Sequence, residues 1–241
     1  MDVERVDEAV EGVPHLSPDA GRRLYRFVLD HDITDVLELG TAHGVSACYL
    51  AAALHEQGYG HVITLDMPRA SKREPSVHDL LDRTGLADWV TPLFTPGGHA
   101  WQLLHWLDSE EPPTFDFCFL DAGHSWEVTG YAFFLVDRVL RPGGWLLFDD
   151  LTWTYDDSPS LGESSQVQDM PEEHRRTPQV GKVFDLLVAG HPDYPYRKRT
   201  RGGRWGWARK ARPKAAVAGR PARGAARRAL ARARRAVRKA R

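Results

Sequence analysis

Acidic residues stand at the ends of four separate apolar segments of the chain. They are Glu38, Asp66, Asp121 and the pair Asp149-Asp150. A carboxylate can accept hydrogen bonds from hydroxyls and amides, and it is a preferred ligand of hard divalent cations. One such acid is unremarkable because loops favour Asp. Four of them at strand ends indicate a binding site for a polar ligand or a cation.

The first of these segments leads into a turn that contains two glycines. Residues 36–46 read Val-Leu-Glu-Leu-Gly-Thr-Ala-His-Gly-Val-Ser, with Gly40 and Gly44 in the turn. Glycine lets the backbone approach a ligand closely, and the start of the following helix offers amide donors to an anion. A dinucleotide-binding loop would carry a third glycine in the G-x-G-x-x-G spacing. The pattern alone is also compatible with an ordinary strand–turn–helix joint of another α/β enzyme.

Strand and helix patterns alternate over most of the chain. Strands are predicted at residues 36–39, 61–65, 90–94, 115–120 and 145–148. Helices are predicted from residue 17, at 43–54 and 77–81, around residues 101–107, at 126–140 and at 180–187. Residues 141–144 are predicted as a turn, and residues 194–200 and 205–209 as an antiparallel hairpin. Alternating elements predict an α/β fold with a mostly parallel sheet, helices on both faces and ligands beyond the carboxyl ends of the strands.

Composition favours one soluble intracellular domain. The chain has 241 residues, of which 42% are hydrophobic, enough to bury one sizeable core. Its two cysteines, Cys48 and Cys118, lie inside apolar runs, as reduced and buried thiols do in cytosolic proteins. No apolar stretch approaches the roughly 20 residues that span a bilayer, and the acidic N-terminus lacks a hydrophobic signal core. We therefore expect a cytoplasmic protein without a transmembrane segment.

Charge is distributed very unevenly along the sequence. Residues 1–196 contain 13 Lys and Arg and all 33 Asp and Glu, whereas residues 197–241 contain 19 Lys and Arg and no acid. From residue 211 onward the composition is nearly confined to Ala, Arg, Gly, Pro and Lys, which cannot form a packed core. The sequence thus predicts a folded domain at 1–210 and a basic tail at 211–241 that is flexible or helical and able to contact an anionic partner.

Taken in order, the four acidic motifs resemble those of class I S-adenosylmethionine (SAM) dependent methyltransferases. Residues 117–125, Phe-Cys-Phe-Leu-Asp-Ala-Gly-His-Ser, and residues 147–150, Leu-Phe-Asp-Asp, are similar to motifs of metal-dependent O-methyltransferases. These include the catechol O-methyltransferase type and the bacterial enzymes that methylate antibiotic sugars. The resemblance covers about residues 17–210. It implies a Rossmann-like methyltransferase fold whose mostly parallel seven-stranded sheet ends in an antiparallel C-terminal hairpin.

The resemblance also implies a set of SAM-binding residues in the first half of the domain. The set is Glu38, Gly40, Thr41, Gly44, Ser46, Asp66, Met67, Gly98, Trp101 and Asp121. In this family Asp66 would accept hydrogen bonds from both ribose hydroxyls, Ser46 would bind the SAM carboxylate and Met67 would pack on the adenine. Two alternatives stay open. Asp66 could be only a turn residue before Pro68, and Trp101 could be a core aromatic of its helix.

A metal site follows from the same resemblance. It makes Asp121, Asp149 and Asp150 the ligands of Mg²⁺ or another divalent cation, and hard oxygen ligands without clustered Cys or His favour Mg²⁺ over Zn²⁺. Side chains alternate along a strand, so adjacent Asp149 and Asp150 would point to opposite faces. Both can face one ion only if the chain leaves the strand at that point. Otherwise one of them only caps the following turn.

His124 is the predicted general base, with Asp121 as the second catalytic residue. It stands three residues after Asp121, where catechol enzymes carry a lysine and the sugar enzymes a histidine. Imidazole can remove a proton from an acceptor hydroxyl at neutral pH. The alternative is a histidine in the first turn of a helix with no chemical role. The histidine favours a sugar or natural-product acceptor over catechol.

The function expected from the sequence is methyl transfer from SAM to a hydroxyl of a small molecule, assisted by a divalent cation. Trp126, Trp153 and Tyr155 are candidates for the wall of the acceptor pocket, and a homo-oligomer is compatible with the sequence. One rival is a metal-independent methyltransferase of nucleic acids whose basic tail binds phosphates. A second rival is a binding module that acts through that tail. The tail could also be a solvated extension without a function.

Overall fold

The computed structural model describes residues 3–158, 161–162 and 164–212. Its strands are β1 (Asp35–Leu39), β2 (His61–Asp66), β3 (Val90–Phe94), β4 (Phe115–Leu120), β5 (Leu140–Phe148), β6 (Tyr196–Arg199) and β7 (Gly206–Arg209). They form one seven-stranded sheet in the order β3-β2-β1-β4-β5-β7-β6. Strands β1 to β5 are mutually parallel, and the hairpin β6–β7 joins β5 in antiparallel orientation. The predicted Rossmann-like methyltransferase fold with a C-terminal hairpin is confirmed.

Helices cover both faces of the sheet. They are α1 (Val3–Ala9), α2 (Pro18–Asp30), α3 (Val45–Gln57), α4 (Val77–Thr84), α5 (Gly98–Leu107), α6 (Trp126–Val139), α7 (Ser165–Gln168), α8 (Glu172–Arg176) and α9 (Gln179–Lys182). Short 3₁₀ helices lie at Pro68–Lys72 and Ala87–Trp89, and α9 continues into a π-helical turn at Val183–Val188. No helix in the described residues is long and apolar enough to cross a membrane.

Local sequence signals explain where the main helices begin. The Ser17 hydroxyl accepts a hydrogen bond from the Ala20 amide, and Pro18 occupies the first turn of α2. Ser76 and Asp79 form a reciprocal capping box at α4. By contrast, α3 begins after Gly44, which has a left-handed backbone and offers no side-chain cap. Among the described residues, the N-cap position therefore gives the first amides of α3 no side-chain bond, and these amides lie at the carboxyl edge of the strands.

Two apolar layers hold the sheet between the helices. On one face, α1 to α4 pack over Val36, Phe117 and Leu147, and the Ala-rich α3 is buried through residues 45–54. On the other face, α5, α6 and the π-helical turn pack over Leu37, Cys118 and other strand residues. Both cysteines are free and buried, as predicted. This packing fixes the strand ends relative to one another.

The structure corrects one local prediction and adds elements that the sequence analysis did not predict. Residues 141–144 are not a turn outside the sheet but part of β5: Leu140 pairs with Phe115 and Trp145 with Phe117, so the residues between them bulge out. The polar stretch 151–178 contains the short helices α7 and α8. Helix α1 was not predicted from its short, acid-rich segment. Of the predicted basic tail, residues 213–241 lie outside the described part of the chain.

Candidate functional site

Hydrogen bonds between backbone atoms bring the carboxyl ends of four strands to one level. The Gly40 amide donates to Leu65 O at 2.8 Å, and the Asp121 amide donates to Leu39 O at the same distance. The Asp149 amide donates to Leu120 O at 3.1 Å. The four acidic motifs therefore meet at one edge of the sheet, as their positions in the sequence predicted.

The glycine loop after β1 is packed against its neighbours without room for side chains. Gly40 has φ +101°, and a Cβ atom there would lie 2.2 Å from Asp121 O. Gly44 has φ +90°, and its Cβ would lie 2.4 Å from a methyl group of Val77. Both residues combine a left-handed backbone with close contacts, which only glycine tolerates. The loop thus links the β1 end directly to Asp121.

Asp66 holds this loop from the end of β2. Its Oδ2 accepts hydrogen bonds from the amides of Thr41 and Ala42, each at 2.9 Å, and its Oδ1 accepts one from the Met67 amide at 2.7 Å. The carboxylate therefore does more than start a turn. A carboxylate has lone pairs for about four hydrogen bonds, so Asp66 can still accept bonds from hydroxyls. Its role toward a ribose stays a prediction.

Glu38 is a buried carboxylate beneath the same loop. The residue is 0% exposed, and neither carboxylate oxygen has a hydrogen-bond partner of good geometry among the described residues. Burial raises the pKa of Glu38 to about 7, an effect that the nearby hydroxyls of Ser46 and Thr64 offset only in part. A buried carboxyl group of this kind is able to accept a hydrogen bond from a donor at the carboxyl edge of the strands.

This raised pKa makes a testable contribution to stability. Between pH 4.5 and about 7 folded Glu38 keeps a proton that the unfolded chain has released, so the free energy of unfolding falls as pH rises. Glutamine cannot ionise, so its contribution to stability does not change with pH. We therefore expect the free energy of unfolding of Glu38→Gln, relative to that of wild type, to rise by roughly 3 kcal/mol between pH 4.5 and pH 8. Urea unfolding at pH 5 and pH 8 measures most of this difference, with exposed Glu8→Gln as the control. A Glu38→Gln effect that is the same at both pH values contradicts the assignment.

Two residues that the sequence analysis assigned to SAM binding, Met67 and Gly98, are neighbours in the structure. Met67 lies next to Gly98, where a Cβ atom would be 3.1 Å from the Met67 sulfur. Burial lowers the pKa of His99, and the charge of Asp66 acts in the opposite direction. Trp101 is 51% exposed, so it is not a core aromatic. Its packing against a ligand stays a prediction.

The second half of the site groups two acids with a histidine. One ligand atom from each of Asp121, His124 and Asp150 lies within 4.8 Å of the others. His124 Nε2 is 3.0 Å from Asp150 Oδ2. Strand β5 ends at Phe148, and Asp150 has φ +58°, so the chain does leave the strand where the sequence analysis required it.

Asp149 departs from the metal set predicted from the sequence. Its side chain is fully buried and accepts two hydrogen bonds from Arg204, at 2.6 Å from Nε and 2.9 Å from the second guanidinium nitrogen. Its Oδ1 also accepts the Asp150 amide at 2.6 Å. The Arg204 guanidinium therefore binds both carboxylate oxygens of Asp149. The residue that lies close to Asp121 and Asp150 is His124. The donor atoms that remain are two carboxylates and one imidazole.

Electrostatics at this end of the site show an excess of negative charge. Burial, followed by repulsion from Asp149 and Asp150, holds the pKa of Asp121 well above its ordinary value. Burial alone would also raise the pKa of Asp150, but the hydrogen bond with His124 and the charge of Arg204 outweigh it, so this pKa is lowered. One arginine does not neutralise three aspartates, and a divalent cation would relieve the remaining repulsion.

Aromatic side chains line the neighbourhood of His124. The Trp153 ring lies 4.3 Å from the His124 ring between centroids, and the Tyr155 ring lies 4.8 Å from that of Trp153. Trp126 is 37% exposed at the start of α6. Trp153 and Tyr155 thus lie beside the histidine, and their role as the wall of an acceptor pocket stays a prediction.

Two residues of this site were missed by sequence reasoning. Arg204 belongs to an arginine-rich segment in which nothing distinguishes it from its neighbours. His15, with φ +90°, stacks on the His43 ring at 5.5 Å and lies near enough for the charge of Asp150 to affect its pKa, which burial lowers. No local pattern predicts either contact, because both join distant parts of the chain.

Comparison with known proteins agrees with this geometry. Residues 37–151 match a family model described as a methyltransferase domain. No curated protein sequence matches the chain.

Solved structures with the same fold share about a fifth of their residues with the chain. The O-methyltransferase TomG of Streptomyces achromogenes, involved in tomaymycin synthesis and solved with SAM, is 23% identical, with a TM-score of 0.60 over 87% of this chain and 89% of that one. An O-methyltransferase of Bacillus cereus, solved with S-adenosylhomocysteine (SAH), is 21% identical, with a TM-score of 0.59 over 87% and 90%. The methyltransferase PaMTH1 of Podospora anserina, also bound to SAH, is 19% identical, with a TM-score of 0.59 over 86% of each chain. Residues 37–151 are thus similar to a methyltransferase domain, and the chain has the fold of these solved methyltransferases.

Proposed function

We propose that the chain is an O-methyltransferase that transfers a methyl group from SAM to a hydroxyl of a small molecule, with the help of a divalent cation. The observation that carries the proposal is the grouping of Asp121, His124 and Asp150 beside the glycine loop, at one edge of the sheet. The family model covers both the loop and the cluster, and a histidine beside acids is suited to remove a proton from a hydroxyl.

The residues around the glycine loop have the chemistry that SAM binding requires. The Gly40–Gly44 loop lies tightly against the protein, and α3 presents first-turn amides without a side-chain cap, which suits an anionic carboxylate. Asp66 keeps acceptor capacity for hydroxyl groups. Glu38 supplies a buried carboxyl group close to the loop, with no hydrogen-bond partner of good geometry among the described residues. These features support binding of a ligand with both an amino-acid end and a ribose.

The acidic cluster around Asp121 and Asp150 is suited to a divalent cation. Asp121 and Asp150 are hard oxygen donors, and the cluster carries excess negative charge. Carboxylate donors suit Mg²⁺ and Mn²⁺. A bound cation would lower the pKa of an acceptor hydroxyl.

In this proposal the chain itself orients the acceptor and removes its proton. Asp150 can only accept in the contact with His124, so Nε2 donates and Nδ1 is the nitrogen that is able to take a proton. Trp153 packs against the imidazole and limits its rotation. Alignment of the acceptor oxygen with the methyl group is the main contribution that such a site makes to the rate.

The proposal is tested by binding and turnover of the full chain. We expect SAH to bind in calorimetry and Asp66→Ala to weaken it about 10- to 100-fold, the scale of a lost charge-assisted hydrogen bond. Asp66→Asn keeps an acceptor for the loop amides and should lose less, and Asp82→Ala on the exposed side of α4 should lose nothing. SAM turnover with hydroxyl-bearing small molecules should depend on Mg²⁺ and stop in EDTA. Absence of SAH binding by the folded wild type contradicts the proposal.

The nucleic-acid alternative depends on the basic tail, and residues 213–241 lie outside the described residues. No observation in the described part of the chain favours it over a small-molecule acceptor.

A further inference from the structure

The hairpin between β6 and β7 places a cation against the acidic cluster. Arg204 stands two residues before β7 and binds both carboxylate oxygens of Asp149, at 2.6 and 2.9 Å. Its Nε also lies 3.5 Å from Asp150 Oδ1. A paired, two-bond contact between guanidinium and carboxylate is strong and well oriented. Arg204 thus holds one acid of the cluster and lies next to a second.

The backbone around Arg204 fixes this position. Leu151, which follows the two acids, donates its amide to Arg204 O at 2.9 Å. The turn itself is closed by the bond from the Thr200 amide to Trp205 O at 2.8 Å. Trp205 is buried in the core, so its neighbour cannot move far. The fold therefore holds the backbone of Arg204 in place, and the paired contact with Asp149 holds its half-exposed side chain.

Charge explains what the arginine does to the cluster. Asp149 is fully buried, and an unpaired carboxylate there would be costly. Arg204 supplies the counter-charge and occupies both Asp149 oxygens. Asp121 and Asp150 are then the carboxylates that can face a divalent cation, with His124 in reach. A nearby positive charge also repels that cation.

We propose that Arg204 is a resident counter-cation that keeps Asp149 out of the metal ligand set and thereby holds the affinity for divalent cations low. This inference rests on the proposed metal-assisted function. It makes Arg204 a positioning residue whose presence distinguishes this site from one with three carboxylate ligands. It also predicts that the three-acid site expected from the sequence is restored when Arg204 is removed.

The decisive experiment is titration of Mg²⁺ and Mn²⁺ into the full chain by calorimetry. We expect Arg204→Gln to bind either ion at least about tenfold more tightly than wild type, because one repelling charge is removed and one carboxylate is released. Without metal its melting temperature should fall, and saturating Mg²⁺ should restore it. Arg204→Lys keeps the charge and should stay near wild type. Arg199→Gln removes a charge from the same hairpin, where Arg199 pairs with Asp185, and should change nothing.

A double variant separates charge removal from ligand release. In Arg204→Gln/Asp149→Asn the buried pair is removed on both sides, and we expect the affinity to return toward the wild-type value. A double variant that binds as tightly as Arg204→Gln overturns the claim that Asp149 is the released ligand. Unchanged or weaker affinity in folded Arg204→Gln that still binds SAH overturns the role of Arg204. Lack of binding by wild type and variant alike overturns the metal site, while SAH binding tests the methyltransferase assignment separately.

Discussion

Replacing His124 with alanine is expected to lower turnover about 10²- to 10⁴-fold, the usual contribution of a positioned acid–base group. In the structure His124 donates from Nε2 to Asp150 at 3.0 Å and packs against Trp153. These contacts hold the imidazole in one orientation and leave Nδ1 as the basic nitrogen. The effect should appear in kcat, because the histidine acts on the acceptor hydroxyl and not on SAM.

The measurement needs an acceptor that does not ionise on its own. A sugar or alcohol hydroxyl is suitable, whereas an acidic phenol loses its proton without help. SAH binding and Mg²⁺ binding of His124→Ala should stay nearly intact, which separates a base from a metal ligand. His78→Ala, an exposed histidine of α4, is the matched control. Near-normal turnover of His124→Ala with an alcohol acceptor would show that another group removes the proton. Loss of Mg²⁺ binding would make His124 a ligand.

Much of the fold could be predicted because it depends on local patterns. Apolar runs that end in an acid mark β1, β2, β4 and β5, and the structure shows those ends side by side. The turn after β1 could be predicted because its two glycines are visible in the sequence, although the contacts that require them, with Asp121 and Val77, join distant parts of the chain. In a parallel sheet such local signals are sufficient to place the ligand edge, since every strand contributes its carboxyl end to it.

The parts that could not be predicted depend on contacts between distant residues. Arg204 reaches Asp149 only because β7 lies antiparallel beside β5, and the sequence cannot tell this arginine from Arg201 two positions beyond the hairpin's first strand. The same holds for His15, which stands in a loop between α1 and α2 and stacks on His43. Hydrophobic periodicity predicts helices and strands. It does not predict which side chains from distant segments meet in the folded chain.

The prediction of a turn at residues 141–144 was wrong for a different physical reason. Their Arg-Pro-Gly-Gly sequence is typical of a turn, and Gly143 indeed has φ +81°. The segment nevertheless stays within β5 as a bulge, because Leu140 and Trp145 both pair with β4. Arg141 also binds Asp35 and Asp116 at the opposite end of the sheet from the site. Tertiary pairing therefore overrides the local turn signal.

Substituting alanine for Gly40 is expected to cost at least about 3 kcal/mol of folding free energy and to reduce SAH affinity more than about 100-fold. Two effects combine at this position. A side chain disfavours φ +101°, and its Cβ would lie 2.2 Å from Asp121 O, a backbone atom that cannot rotate away. To relieve the overlap, the Gly40–Gly44 loop must move away from Asp121. The loop and the acidic cluster are then no longer in contact.

Gly58→Ala provides the control that isolates the contact. Gly58 has φ +78° at the end of α3, yet no atom lies within 4 Å of a Cβ placed there. Its substitution should therefore cost only the backbone term, about 1 kcal/mol. Urea unfolding gives both free energies, and calorimetry with SAH gives the affinities. If Gly40→Ala is as stable as Gly58→Ala and binds SAH normally, close contact between the loop and Asp121 is not what holds the two halves of the site together.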